Sequence, residues 1–140
     1  MINSLSILIP TYNNVCLELV KSLQAQAAAL PDFEYEILVA DDGSTDRLTI
    51  YENRKIRSLP YCHYIEREKN VGRAAIRNFL AEEALHPWLL FIDSNMQVIH
   101  PQYLTTYLQS EESDVIYGGY QIKQNDEKYQ HNLRYIFECI

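Results

Sequence analysis

Leu5-Ser6-Ile7-Leu8-Ile9-Pro10-Thr11-Tyr12-Asn13 is a short apolar run stopped by proline and followed at once by polar and aromatic residues. The run reads as a buried β-strand, Leu5 to Ile9, and the polar segment after it reads as the strand's functional end. The same grammar returns three times. Tyr35 to Ala40 leads into Asp41-Asp42-Gly43-Ser44, Cys62 to Ile65 precedes Asn70-Val71-Gly72, and Trp88 to Ile92 runs into Asp93-Ser94-Asn95. In an open α/β sheet the carboxyl ends of parallel strands lie side by side and form the crevice where ligands bind. Strands sit about 4.8 Å apart, so four neighbouring ends span roughly 15 Å, the length of a nucleotide carrying a diphosphate and a sugar.

Working outward, the segments between these strands read as helices. Cys16, Leu19 or Val20, Leu23 and Ala27 recur at helical spacing, which predicts a helix over 14–29 with Asn13 or Asn14 at its cap. A more polar helix should run from a Ser44 or Thr45 cap to about Arg57. A third, over 71–85, should turn Ala75, Ile76, Phe79, Leu80 and Ala84 to one side. Pro101 suits the first turn of a short helix ending near Ser110, and Asp114 to Tyr117 reads as a fifth strand stopped by Gly118-Gly119. Residues 121–128 read as polar loop, and 129–140 as the start of a further helix or strand. Alternation of this kind predicts a mainly parallel open sheet with helices on both faces.

The chain has 140 residues, 47% of them hydrophobic, which suits one compact domain. No apolar run approaches the roughly 18 residues of a membrane span, and the N-terminus lacks the pattern of a secretory signal, so the expected location is cytoplasmic. Cys16, Cys62 and Cys139 have no C-x-x-C spacing and read as reduced packing residues rather than a disulfide framework or zinc site. The four histidines, His63, His86, His100 and His131, show no metal-ligand spacing. A net charge of -7 and a pI near 5.0 argue against a nucleic-acid partner. An acidic protein that binds a diphosphate needs a metal ion or local arginines.

Several nucleotide-binding folds share such a sheet. The chain has four glycines and contains neither G-x-G-x-x-G nor G-x-x-x-x-G-K-[ST], which sets aside a dinucleotide site and a phosphate-binding P-loop. A receiver-type domain would place its acidic pair after the first strand and a lysine after the fifth. Here Asp41-Asp42 follows the second strand and no such lysine is present.

Four blocks together carry a more specific signal: Ser6 to Asn13, Val39 to Asp46, Asn70 to Asn78 with Ala75-Ile76-Arg77-Asn78, and Phe91 to Asn95. In this order and at domain-scale spacing they resemble the family-two inverting glycosyltransferases, over Leu5 to about Gly119. The resemblance implies a nucleotide-diphospho-sugar transferase (GT-A) fold and a nucleotide-sugar donor, with uridine as the expected base. It also implies one-step displacement at the anomeric carbon with inversion, assisted by Mn²⁺ or Mg²⁺, in the synthesis of cell-surface polysaccharide.

Residue chemistry agrees with those expectations. Tyr12 can lay its ring on a base, a contact worth roughly 1–3 kcal/mol, and a strand-end turn between Pro10 and Asn13 is a poor place to bury a core tyrosine. The Asp42 carboxylate can accept a base N–H; the neighbouring Ser44 or Thr45 is left to cap the helix. Asn70 and Gly72 open the third helix, where free N–H groups and the dipole favour an anion. Arg73 and Arg77, four apart on one face, either approach the diphosphate or pair with Glu82 or Glu83 at the surface. Pro10, Thr11, Asn13 and Ser94 complete the expected nucleotide site. The family's D-x-D metal motif falls on Asp93 and Asn95, where Asn95 keeps an oxygen but loses the charge, so the expected metal site is weaker than the family's.

The family's catalytic base lies in the second half of its domain, so no base is assigned in this chain. Residues 1–119 are read as the nucleotide-sugar-binding domain and 120–140 as the start of an incomplete acceptor half. Apolar residues Ile116, Ile136, Phe137 and Ile140 would then form an exposed edge suited to self-association, the acceptor would be a glycan or lipid-linked molecule, and the cytoplasmic protein could lie peripheral to the inner face of the membrane. A noncatalytic nucleotide-binding or interaction module with the same fold is the alternative.

Overall fold

A computed structural model describes residues 2–109, 114–116, 118–122 and 137–139. Strand β1 (Ser4–Thr11) is the centre of the molecule, flanked by β2 (Glu34–Asp41), then β3 (Cys62–Glu66), and on its other side by β4 (Leu89–Phe91). All three pairings are parallel, and β1 and β2 match residue for residue from Ser4 opposite Glu34 to Thr11 opposite Asp41. Strands covered on both faces need no polar side, which is why β1 and β2 read as continuous apolar runs.

The period of two decides which residue meets which helix. Ile7, Ile9, Ile37 and Val39 face one layer, packed with Val20 and Leu23 of α1 (Leu17–Ala28), Ile56, and Leu104 and Leu108 of α4 (Tyr103–Leu108). Leu8, Leu38 and Ala40 face the other, against Ile76 and Leu80 of α3 (Arg73–Glu83). Helices therefore cover both faces. Fully burying a side chain such as Ile7 or Leu8 is worth roughly 1.5–3 kcal/mol, so the alternation fixes the register of the whole sheet.

Several local expectations are corrected. Helix α1 starts at Leu17 rather than Asn14, and neither Asn13 nor Asn14 caps it, because both side chains reach to other loops. The start of α1 is held instead by buried Asn53, whose Oδ1 accepts from the Cys16 N–H at 2.9 Å while its Nδ2 donates to the Asn14 carbonyl at 2.9 Å. Helix α2 (Arg47–Arg54) is capped by Asp46, which accepts from the Thr49 N–H at 3.0 Å, and not by Ser44 or Thr45. It continues as a 3-10 turn at Lys55–Ser58. In α3, Ala75 is exposed while Phe79 and Ala84 are partly covered.

Asp114, Val115 and Ile116 are not strand; Asp114 and Val115 are exposed, and among the described residues no ladder partner lies beside them. Tyr117 lies outside the described residues. A strand that periodicity does not reveal, β5 (Met96–Val98), instead heads a small second sheet, parallel to β7 (Phe137–Cys139), which is antiparallel to β6 (Tyr120–Ile122). Gln121, expected in a loop, thus belongs to a strand, while most of 121–128, together with His131, Ile136 and Ile140, falls outside the described residues. Among the described residues no helix is long and apolar enough to cross a membrane.

Candidate functional site

The carboxyl ends of β1, β2 and β4 and the first turn of α3 enclose a cleft of about 790 Å³. Every residue singled out from the sequence lines it: Pro10, Thr11, Tyr12 and Asn13 after β1, Asp42 after β2, Asn70, Gly72, Arg73 and Arg77 at α3, and Asp93, Ser94 and Asn95 after β4. Two further residues, Asn14 and Ile76, do so as well. Sequence reasoning places Asn14 at a helix cap and Ile76 in the core. Extending the first motif by one residue would have found Asn14, whereas nothing in the sequence marks an α3 core residue as cleft floor.

The loops around the cleft are tied to one another. Asn13, in the left-handed region at φ 48°, uses its Oδ1 to accept from Thr45 N–H at 2.8 Å and Asp46 N–H at 3.0 Å, and its own N–H donates to Ser44 Oγ at 2.8 Å. Asn14 Nδ2 donates to Ser94 Oγ at 3.0 Å, which joins the first motif to the fourth. Thr11 is buried, with its hydroxyl donating to the Asn14 carbonyl at 3.0 Å, so it shapes the turn from below. Tyr12 makes no such tie among the described residues, and it stands half exposed at 49%.

The adjacent acids Asp41 and Asp42 face different partners. Buried Asp41 accepts from the Tyr64 hydroxyl and, at 2.7 Å, from the Ser44 N–H. Burial, reinforced by that carboxylate, pushes the Tyr64 hydroxyl well above its ordinary value, so it remains a donor. Burial also pushes the neighbouring Cys16 thiol up to about 12, which leaves it an inert packing group. Asp42 reaches across to the third motif: one oxygen accepts from Val71 N–H at 2.8 Å and the other from Gly72 N–H at 3.0 Å. Gly43 permits this approach. At φ +78° it lies so near the third loop that a Cβ would sit 2.7 Å from the Asn70 nitrogen. Asp42 is thus a clamp on the start of α3, a role that its place in the sequence does not announce.

At the other wall Arg77 pairs with Asp93, Nη2 to Oδ1 at 2.6 Å, and not with Glu82 or Glu83. The Arg73 guanidinium has no hydrogen bond or ion pair among the described residues and lines the same cleft. Among the described residues the cleft does not show the donor set of a divalent-metal site. Among the described residues no three acid, histidine or cysteine side chains gather to hold an ion, and the single carboxylate at the D-x-D position already carries a guanidinium on one oxygen. Hard divalent ions take oxygen ligands in number, with carboxylates to balance their charge.

The model of glycosyl transferase family 2 matches residues 6–139. The chain belongs to glycosyltransferase family 2. Among family relatives, the validoxylamine A glucosyltransferase of Streptomyces hygroscopicus subsp. jinggangensis is 36% identical over 110 residues, 74% of this chain and 24% of that protein. Chondroitin synthase of Escherichia coli is 31% identical over 115 residues, 78% of this chain and 16% of its own length. Of solved structures, S. aureus TarS 1-349 in complex with UDP-GlcNAc matches with a TM-score of 0.62 at 32% identity, over 74% of this chain and 30% of that one. The chain spans between 13% and 24% of the length of the curated relatives it matches.

Proposed function

We propose that the cleft binds the nucleoside-diphosphate part of a sugar donor, with uridine as the base, and that the chain is the donor-binding portion of an inverting glycosyltransferase. The observation that carries this reading is the meeting of all four strand-end motifs in one cleft of about 790 Å³, within the usual 300–1,000 Å³ of a small-molecule site. The UDP-GlcNAc complex of the TarS relative supports the choice of uridine. Tyr12 offers the free aromatic face that a base needs. The first turn of α3, with Arg73 and Arg77 beside it, offers the positive end that a diphosphate needs. Asp42 acts by holding that turn in place, and the sugar extends toward Asp93, Ser94 and Asn95.

In this reading residues 1–119 form the donor unit and 120–140 begin the acceptor half. The acceptor is a glycan or lipid-linked molecule, the base that deprotonates it is supplied outside the described residues, and the work is done at the cytoplasmic face. The names of the relatives, one a chondroitin synthase and another a teichoic acid polymerase, favour a role in surface polysaccharide.

The test is calorimetric titration with uridine, UDP and UDP-sugars. Uridine nucleotides bind, and Tyr12→Ala weakens uridine itself by about 1–3 kcal/mol, the value of one stacking contact. Absence of binding by any of them overturns the proposal, and unchanged affinity in Tyr12→Ala removes the ring from the site.

A further inference from the structure

Among the described residues the cleft lacks a metal's ligands but has a cation of its own. Arg77 is held on two sides: Nη2 donates to Asp93 Oδ1 at 2.6 Å, and Nη1 donates to the Arg73 carbonyl at 3.3 Å. Its side chain is 35% exposed, open enough to meet a ligand, and it stands between the start of α3 and the end of β4. A divalent ion placed on Asp93 would sit against a positive group that already engages one of its two oxygens.

Charge balance points the same way. A complete D-x-D motif with a divalent ion sums to zero formal charge, two carboxylates against two positive charges. Here Asn95 brings no charge, which leaves Asp93 as the one carboxylate of the motif, already paired with Arg77. Arg73 adds a second positive charge to the cleft, where Asp42 at the start of α3 is its counterpart, and its guanidinium has no partner among the described residues.

We propose that Arg77, positioned by Asp93 and assisted by Arg73, supplies the positive charge at the diphosphate in place of a divalent metal, so that nucleotide binding by this chain is metal-independent. Arginine suits the task because its planar fork can give one N–H pair to phosphate oxygens while another stays on the carboxylate. The inference rests on the reading of the cleft as a uridine diphosphate site.

Titration of the chain with uridine and with UDP, each in EDTA and in saturating Mn²⁺, tests it. UDP binds more tightly than uridine in EDTA, and Mn²⁺ changes the UDP affinity by less than about twofold. Arg77→Gln lowers UDP affinity in EDTA by about tenfold or more, the loss of a charged hydrogen bond, while uridine affinity stays unchanged and reports an intact site. Arg77→Lys keeps the charge and retains most of the UDP gain. Tightening of UDP by Mn²⁺ of about tenfold in the unaltered chain overturns the inference and leaves the donor site standing, as does UDP binding by Arg77→Gln at unaltered affinity. Failure of both uridine and UDP to bind under either condition overturns the donor-site reading, and this inference with it.

Discussion

Two acids a few residues apart, Asp42 and Asp46, would be hard to rank from sequence, and their surroundings separate them. Asp42 is 5% exposed and spends each oxygen on a backbone N–H of the loop that opens α3, whereas Asp46 caps α2 through Thr49. That hydrogen bonding holds the Asp46 carboxyl below its usual range. Asn at position 42 has one acceptor oxygen and an amide that donates, so Val71 or Gly72 would face a donor. We expect Asp42→Asn to weaken UDP binding by about tenfold or more, because the N–H groups and arginines at the start of α3 lose their placement. Asp46→Ala should lower the melting temperature and leave UDP affinity unchanged, since its side-chain bonds go to Thr49 in the first turn of α2 and its backbone N–H, which Asn13 holds, is kept. Calorimetry and thermal melts on both variants decide the matter; equal losses of affinity would reduce Asp42 to another helix-start acid.

At the scale of elements, the seam between α2 and β3 is closed by charge. Glu66, at the end of β3, accepts from Arg54 Nε at 3.0 Å and Nη2 at 2.8 Å, and from Arg57 Nη2 at 2.8 Å. The Arg54 hydrogen bond comes first in holding the Glu66 carboxyl below its ordinary 4.5, with Arg57 adding to it. A carboxylate whose folded value is depressed stabilises the fold above its unfolded value, and that contribution is lost as pH falls through the folded one. Glu66→Gln should therefore lower the melting temperature by a few degrees at pH 7, with the difference fading as pH falls below 4.5. A difference that persisted at low pH would mean that packing, not charge, closes the seam. Elements buried on both faces, such as β1 and β2, were legible because continuous apolar runs have few other readings. Caps were not: Asn13, Asn14, Ser44, Thr45 and Asp46 all suit a helix start, and bonds between loops distant in sequence decide among them. Strand β5 escaped because so short a segment shows no period, and its partner β7 lies far along the chain. The cleft was legible because strand ends collect ligands by topology, whereas the tie between Asp42 and α3 depends on a close approach at Gly43 that no local pattern encodes.

For the molecule as a whole, the question is whether a donor cleft is enough for transfer. Inversion needs a base on the acceptor side, and general base catalysis typically contributes about 10²–10⁴-fold. Among the described residues the carboxylates lining the cleft are Asp42 and Asp93, and both are engaged, the first by two backbone N–H groups and the second by Arg77. The chain also presents an apolar groove along β4, lined by Trp88, Phe91, Met96, Tyr107 and Ile116, with Leu89 and Phe91 exposed at 38% and 42%. We therefore expect the 140-residue polypeptide to bind UDP and UDP-sugars and to transfer none of the sugar to glycan or lipid-linked acceptors. Mass spectrometry of acceptors incubated with a panel of UDP-sugars, run beside calorimetry on the same preparation, provides the measurement. Transfer by this polypeptide as a monomer would show that a base already stands within it, and would turn attention back to Asp93, released from Arg77 once the diphosphate has taken the guanidinium.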